Sequence, residues 1–405
     1  MFVQTEISRE IIGKGGSLLL QGDSSQPMEK LDRFEGKAQC VYLDPPYMTG
    51  GSFQRKRPLG ETGWKKGRPF VTLEGYDDHF DTREDYQTML RGLLVQARRL
   101  LAPTGLLLLH LDWHSCAWGR ILCDELFGEK NFLNEIIWSY QSGGRSKRFY
   151  SRKHDNILMY AASPDFLFDI TRVPLERKDT RKNHMKQNVD ENGRTYRTIN
   201  TGGKTYRYYD DDPVYPGDVW TDISHLQQRD PERTGLMTQK PVRLLERLLM
   251  PIASPGELVV DLCGGSGTTA VAAAHIGCRF ISVDAQTAML NLTMPRLDVP
   301  FEIDAPASAI PAVLEAENTD GLVTLHAFRT EDERLPKTAD SLELVEQWRI
   351  GRIRDNTLYV EDRYSRASQH PGLMPWITVP QGEGELGLSV TDAAGERRVF
   401  RWTED

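Results

Sequence analysis

The sequence predicts an α/β protein on a doubly wound parallel sheet, with a polar insertion and an appended all-β region. Three observations carry this. The glycine turn Asp261-Leu262-Cys263-Gly264-Gly265-Ser266-Gly267-Thr268 stands between a strand-like run and a helix-like run. A second short apolar run ends in Asp44-Pro45-Pro46-Tyr47. Beyond Pro300, short strand-like runs alternate with turn signals, and helical spacing disappears.

Residues 38–43 are almost wholly apolar and end at Asp44, as expected of a buried strand that delivers its motif at the carboxyl end. Between Asp81 and Leu101, apolar residues at Leu90, Leu93, Leu94, Ala97 and Leu101 keep helical spacing, and Pro103-Thr104-Gly105 is the expected stop. Residues 106–111 read as a second buried strand, 121–127 as a helix, and 135–138 and 156–160 as strands. Pro241 is expected to open a helix over 241–250. Residues 257–262, 268–275 and 279–283 then follow as strand, helix and strand, closing at Asp284. That order is one βαβ unit of a doubly wound sheet. From about 141 to 235 the periodicity fades. Strand-like runs at 322–328, 346–353, 357–360, 376–379, 386–390 and 397–402 suggest a small β-sandwich. The expected division is therefore 1–140 with 236–298 as a catalytic part, 141–235 as an insertion, and 305–405 as a C-terminal β-sandwich-like domain.

Composition sets bounds on function. With 39% hydrophobic and 27% charged residues in 405, the chain matches an ordinary globular protein of two or three domains. Its apolar runs are too short to span a bilayer, no signal-peptide pattern stands at the N-terminus, and five cysteines form no CxxC pair. A cytoplasmic protein, without membrane, disulfide framework or zinc ribbon, is the expectation. The net charge of −8 is unevenly spread: residues 141–209 carry +8 and residues 299–405 carry −9. The basic segment can form a local surface that attracts phosphates.

The two motifs suggest complementary chemistry. Glycines let a backbone adopt positive φ and approach a ligand closely, and the turn lies where open α/β sheets bind ligands. An acid at the end of the next strand, Asp284, suits the two hydroxyls of a ribose. The Asp44 carboxylate and the Pro45 carbonyl offer two acceptors on a stiffened turn. Two acceptors on one exocyclic amine localise its lone pair on nitrogen. Tyr47 offers a flat face for a base turned out of a duplex.

In this order the motifs resemble the amino-methyltransferases of DNA, in the circularly permuted β class. The run from Glu232 through Gly267 is similar to the modification subunits of type III restriction systems. The resemblance implies a Rossmann-like, S-adenosylmethionine (AdoMet)-dependent sheet and covers about residues 10–295. Asp44, Pro45, Pro46 and Tyr47 would act on the target amine. Thr238, Gln239, Lys240, Asp261, Cys263, Gly264, Gly265, Ser266, Gly267, Thr268 and Asp284 would hold AdoMet. Thr238-Gln239-Lys240-Pro241 matches a family segment whose donors face the amino-acid end of the cofactor. Two positions depart from the pattern. Leu262-Cys263 replaces Pro-Phe, and Met48 replaces the Asn of Asn-Thr-Gly.

The basic insertion occupies the place of a target-recognition region, with Arg145, Lys147, Arg148 and Arg207 as candidate DNA contacts. Implied partners are DNA, a second copy of the chain and a restriction or defence subunit. Asp at the first motif position favours adenine-N6 as target. Cytosine-N4 methylation, RNA methylation and an impaired AdoMet- or DNA-binding subunit are the alternatives. Two weaker signals remain. His110, Asp112 and His114 alternate along a strand end, as metal ligands or as cleft lining, and lining is the reading adopted, with no metal. The basic loop 51–75 is either a solvated loop or a lid.

Overall fold

Parallel and antiparallel strands flanked by helices form the catalytic part of a computed structural model. It describes residues 1–59, 70–141, 146–176, 187–227, 230–337, 341–366, 372–379 and 381–403. Its principal strands are β1 (Leu18–Gln21), β2 (Ala38–Leu43), β3 (Leu101–Leu111), β4 (Phe132–Ser139), β5 (His154–Ala161), β6 (Leu258–Asp261) and β7 (Arg279–Asp284). In space they run β1-β7-β6-β2-β3-β5-β4, with Val219–Trp220 added parallel to β4. Strands β1, β7, β6, β2 and β3 are parallel, and β5 is antiparallel to both neighbours.

Every residue of β2 and β6 is buried, which explains their mostly apolar composition. Helices α1 (Arg83–Leu100) and α2 (Cys116–Phe127) pack on one face through Leu90, Leu94 and Cys123. On the other face lie α3 (Val242–Leu249) and α4 (Thr268–His275), through Leu244, Leu248 and Ala272. Neighbouring strands β2 and β6 thus send their chains to opposite faces. That divergence opens a crevice at their carboxyl ends, the usual ligand position of such sheets. Their register sets Asp261 beside Tyr42, so two motifs more than two hundred residues apart in sequence meet there.

Local differences from the sequence reading have physical causes. Helix α1 is opened by a capping box between Thr82 and Asp85 and stops at Leu100. Pro103-Thr104-Gly105 lies inside β3 and does not form the stop, because Ala102, before proline, favours extended backbone. Pro241 precedes the first helical residue of α3, and the Glu232 carboxylate accepts from the Val242 amide at 2.8 Å in place of a cap. Within the insertion, Gln187–Val189, Thr195–Thr201 and Lys204–Tyr209 form a small antiparallel sheet. Side chains on both faces are polar or half-exposed, so no alternation marks these strands in the sequence.

The C-terminal region is joined to the catalytic sheet. Phe301–Asp304 pairs with β1, and Arg9–Ile12 pairs with both Phe301–Asp304 and Thr357–Ser365. Phe2–Thr5 pairs with Arg397–Trp402. Residues 2–12, which the sequence division gives to the catalytic part, are therefore strands among C-terminal ones. A second sheet of Ala312–Thr319, Leu322–Thr330 and Trp376–Thr378 faces Val345–Arg354 and Glu385–Asp392 across a core of Phe328, Trp348, Leu388 and Phe400. Glu10 is buried at the junction, bonded by Arg349 Nε at 2.7 Å, Arg397 Nη1 at 2.5 Å and Ser389 Oγ at 2.6 Å. Burial alone would raise its carboxyl; the two guanidiniums prevail and draw it down to about 2.

Candidate active site

A cleft of about 310 Å³ lies at the carboxyl ends of β2, β6 and β7, within the usual range for small-molecule sites. Asp44, Pro45 and Tyr47 stand at one end of it, and Gly264, Gly265 and Asp284 at the other. All four residues of the first motif and nearly all of the second line this one cavity.

The glycine turn is shaped by close approach. Gly264 lies so near Ser282 that a Cβ would meet its Oγ at 2.3 Å, and Gly267, at φ +76°, would meet Thr293. Asp284 accepts from the amides of Gly265 and Gln286, each at 2.8 Å. These bonds do not offset its desolvation, and burial pushes its carboxyl up to about 6. Asp261 lies deeper, braces the Cys263 amide at 2.9 Å, and is pushed up to about 7, chiefly by burial. Cys263 lines the cleft where the related pattern has phenylalanine. Facing this turn, the hairpin Ser52–Pro58 with Phe70–Asp77 supplies Phe53 stacked on Tyr76, centroids 4.8 Å apart. Gln286 Nε2 ties the hairpin down through Gly75 O at 2.7 Å. The basic residues Lys65, Lys66 and Arg68 of this loop fall outside the described residues.

At the other end, Tyr47 Oη donates to Asp44, and burial keeps the phenol protonated. Met48 holds a left-handed φ of 62°, where asparagine is favoured and methionine is strained. Asp78, almost fully buried, secures that turn: it accepts from the amides of Met48 and Thr49 at 2.8 and 3.0 Å, and from Thr49 Oγ1. Asp78 was missed by sequence reasoning, since it lies thirty residues away on the returning hairpin and belongs to no motif. Beneath Tyr47 runs a buried chain. Tyr42 Oη meets His110 Nδ1 at 2.8 Å, His110 Nε2 meets Asp155 at 3.1 Å, and Tyr140 donates to Asp155 at 2.9 Å. Burial opposes the charge of Asp155, yet its bonds with His110 and Tyr140 hold its carboxyl below the usual range. His110 is thus part of a polar brace, whereas His114 pairs with Asp112 at a more exposed position.

The remaining expected residues divide. Gln239 is occupied by the backbone, accepting from Thr234 and donating to Glu232 O at 2.8 Å, so it shapes a turn. Lys240, placed by resemblance at the amino-acid end of the cofactor, instead reaches Asp44. Its Nζ is 2.9 and 2.8 Å from the two carboxylate oxygens and 2.9 Å from Tyr47 Oη. Thr268 Oγ1 donates to the Lys240 carbonyl, and Ser266 bonds to Thr268. Lys147 and Arg148 are exposed on the loop before β5, Arg207 lies over Tyr196 in the small sheet, and Arg145 falls outside the described residues.

A family model described as DNA methylase matches residues 38–294, spanning both motifs and the insertion. The chain belongs to the DNA methylase family. It is 27% identical over 270 residues to the type II methyltransferase M1.MboII of Moraxella bovis, covering 64% of this chain and 90% of that protein. It is 25% identical over 289 residues to the DNA adenine methyltransferase YhdJ of Escherichia coli K12, covering 71% and 84%. Among solved structures, it is similar to the PvuII cytosine-N4-specific DNA methyltransferase, with a TM-score of 0.44 and 15% identity over 71% of this chain and 90% of that one. The methyl donor of this DNA methyltransferase is AdoMet, and the cleft suits it. Asp284 offers a desolvated carboxylate, the glycines admit close backbone approach, and Phe53 and Tyr76 give an aromatic wall. No described helix is long and apolar enough to cross a membrane.

Proposed function

We propose that the protein methylates the N6 amino group of adenine in DNA, on a base turned out of the duplex. The observation carrying this is the meeting of Asp44-Pro45-Pro46-Tyr47 with the glycine turn in one cleft. AdoMet supplies an electrophilic methyl group when bound. Asp284 holds the ribose, and the buried Asp261 favours the cationic end of the same molecule. Asp44 and the Pro45 carbonyl accept the two amine hydrogens, which concentrates the nitrogen lone pair, and Tyr47 stacks on the base. Asp44 then takes up the proton that the methylated nitrogen sheds. Asp78 and the Tyr42–His110–Asp155 chain position these groups without touching substrate.

Asp44 at the first motif position supports adenine, as does a relative named an adenine methyltransferase. Residues 141–235 are proposed to read the target sequence, and 305–405, with 2–12, to serve stability, self-association or a partner. Relatives named type II methyltransferases support a restriction partner, which co-purification from the native host would test.

The deciding experiment incubates the protein with methyl-labelled AdoMet and duplex DNA, single-stranded DNA or RNA, then digests the product to nucleosides. N6-methyladenine from duplex DNA is expected. N4-methylcytosine would correct the base, label in RNA would correct the polymer, and no transfer would leave a binding subunit.

A further inference from the structure

The Lys240 ammonium occupies the Asp44 carboxylate, one of the two acceptors that the proposed reaction reserves for the target amine. A protonated lysine has three N–H donors, and here all three have partners: the two Asp44 oxygens and Tyr47 Oη, at 2.8–2.9 Å. Its side chain is only 10% exposed. The carboxylate of the amine subsite is therefore held at rest by the protein's own amine.

That arrangement conflicts with Asp44 activating a base. An ammonium on both oxygens withdraws electron density from the carboxylate and weakens it as an acceptor. A positive charge beside the reacting nitrogen also opposes the charge that nitrogen acquires as it attacks. Asp44 cannot serve the target while Lys240 holds it.

The construction around Lys240 allows the tip to leave while the backbone stays. Its carbonyl is bound by Thr268 Oγ1, the preceding Gln239 is tied at both ends of its amide, and α3 begins two residues on. Four methylenes separate this fixed base from the charge. Asp44 and Tyr47 bind the ammonium, Asp155 of β5 feels its charge, and Asp261 of β6 feels Asp44.

We infer that Lys240 is a placeholder: it holds the Asp44 side of the target-amine subsite in the empty enzyme, keeps Asp44 and Tyr47 in position, and is displaced by the exocyclic amine of the incoming base. It is a positioning residue. The inference rests on the assignment of Asp44 to the target amine.

The test measures binding of free 2′-deoxyadenosine by calorimetry to the native full chain and to Lys240→Met, Lys240→Gln, Lys240→Arg and Asp44→Asn. A placeholder predicts tighter binding by roughly tenfold in Lys240→Met and Lys240→Gln, the equivalent of one charge-assisted hydrogen bond no longer displaced. Lys240→Arg, which keeps the charge, should stay within a few-fold of native. Asp44→Asn should bind weakly. A purely structural brace predicts weaker binding in both neutral variants, and that result, or no measurable binding by them at millimolar nucleoside, would overturn the placeholder. If Asp44→Asn bound the nucleoside as native does, the assignment of Asp44 itself would fall, whatever Lys240 did.

Discussion

Two regions of this molecule bury carboxylates, and they treat them in opposite ways. At the junction of the N-terminal strands with the C-terminal region, Glu10 has two guanidiniums and a hydroxyl around it and is drawn down to about 2. In the cleft, Asp261 and Asp284 have backbone amides and the Thr269 hydroxyl, and burial pushes them up to about 7 and 6. The first is an internally completed network, in which charge is compensated by the fold. The second is under-compensated, as expected of groups whose partner arrives from outside. Lys240 on Asp44 lies between these cases, a fold-supplied partner at a position meant for a ligand.

The largest expected effect is on chemistry. Asp44→Ala should reduce methyl transfer by at least about a hundredfold, as for removal of a key stabilising group, while AdoMet still binds. Retained transfer would move the amine site elsewhere. Next comes stability. Glu10→Ala should cost about 3–5 kcal/mol, because two buried guanidiniums lose their carboxylate, read as a fall in calorimetric midpoint. A loss below about 1 kcal/mol, the scale of an exposed pair, would contradict the description of a completed network. Asp284→Ala should weaken AdoMet by about 1–3 kcal/mol and leave the melting of the free protein unchanged or improved, since a desolvated carboxylate is removed. The smallest effect concerns DNA. Neutralising Lys147 and Arg148 should lower the salt dependence of DNA affinity by about one log–log unit per lost phosphate contact; an unchanged slope would place the DNA on another face.

The same contrast separates what was legible in the sequence. Strands β2, β3, β6 and β7 were readable because burial on both faces imposes mostly apolar runs, and the two motifs lie at the ends of β2 and β6. Asp44 and Asp284 share a cleft because β2 and β7 flank β6, an order of which the βαβ pattern implies only the pairing of β6 with β7. The roles of Asp78 and of the Tyr42–His110–Asp155 chain were not readable, since each acts through contacts distant in sequence, although His110 itself had been singled out. Lys240 was found, but its partner was not: the motif gives the residue, and only the folded cleft shows that it reaches Asp44. Residues 2–12 were misplaced for a similar reason, since strand partners three hundred residues away leave no local trace.

The sign of the pH response distinguishes the two carboxylate settings. Glu10, depressed, contributes stability that is present above an ordinary carboxylate pKa of about 4 and lost as pH falls toward about 2. Asp284 and Asp261, raised, favour the folded state below about pH 4 and lose that contribution as pH rises through about 6 and 7. Cofactor binding should relieve this penalty by favouring the ionised forms. The most direct measurement is therefore proton exchange on AdoMet binding at pH 6, by calorimetry in buffers of differing ionisation enthalpy. Release of a substantial fraction of a proton by the native protein, diminished in Asp284→Asn, is the expected result. No release, or the same release from the variant, would contradict the claim that these carboxylates await the cofactor.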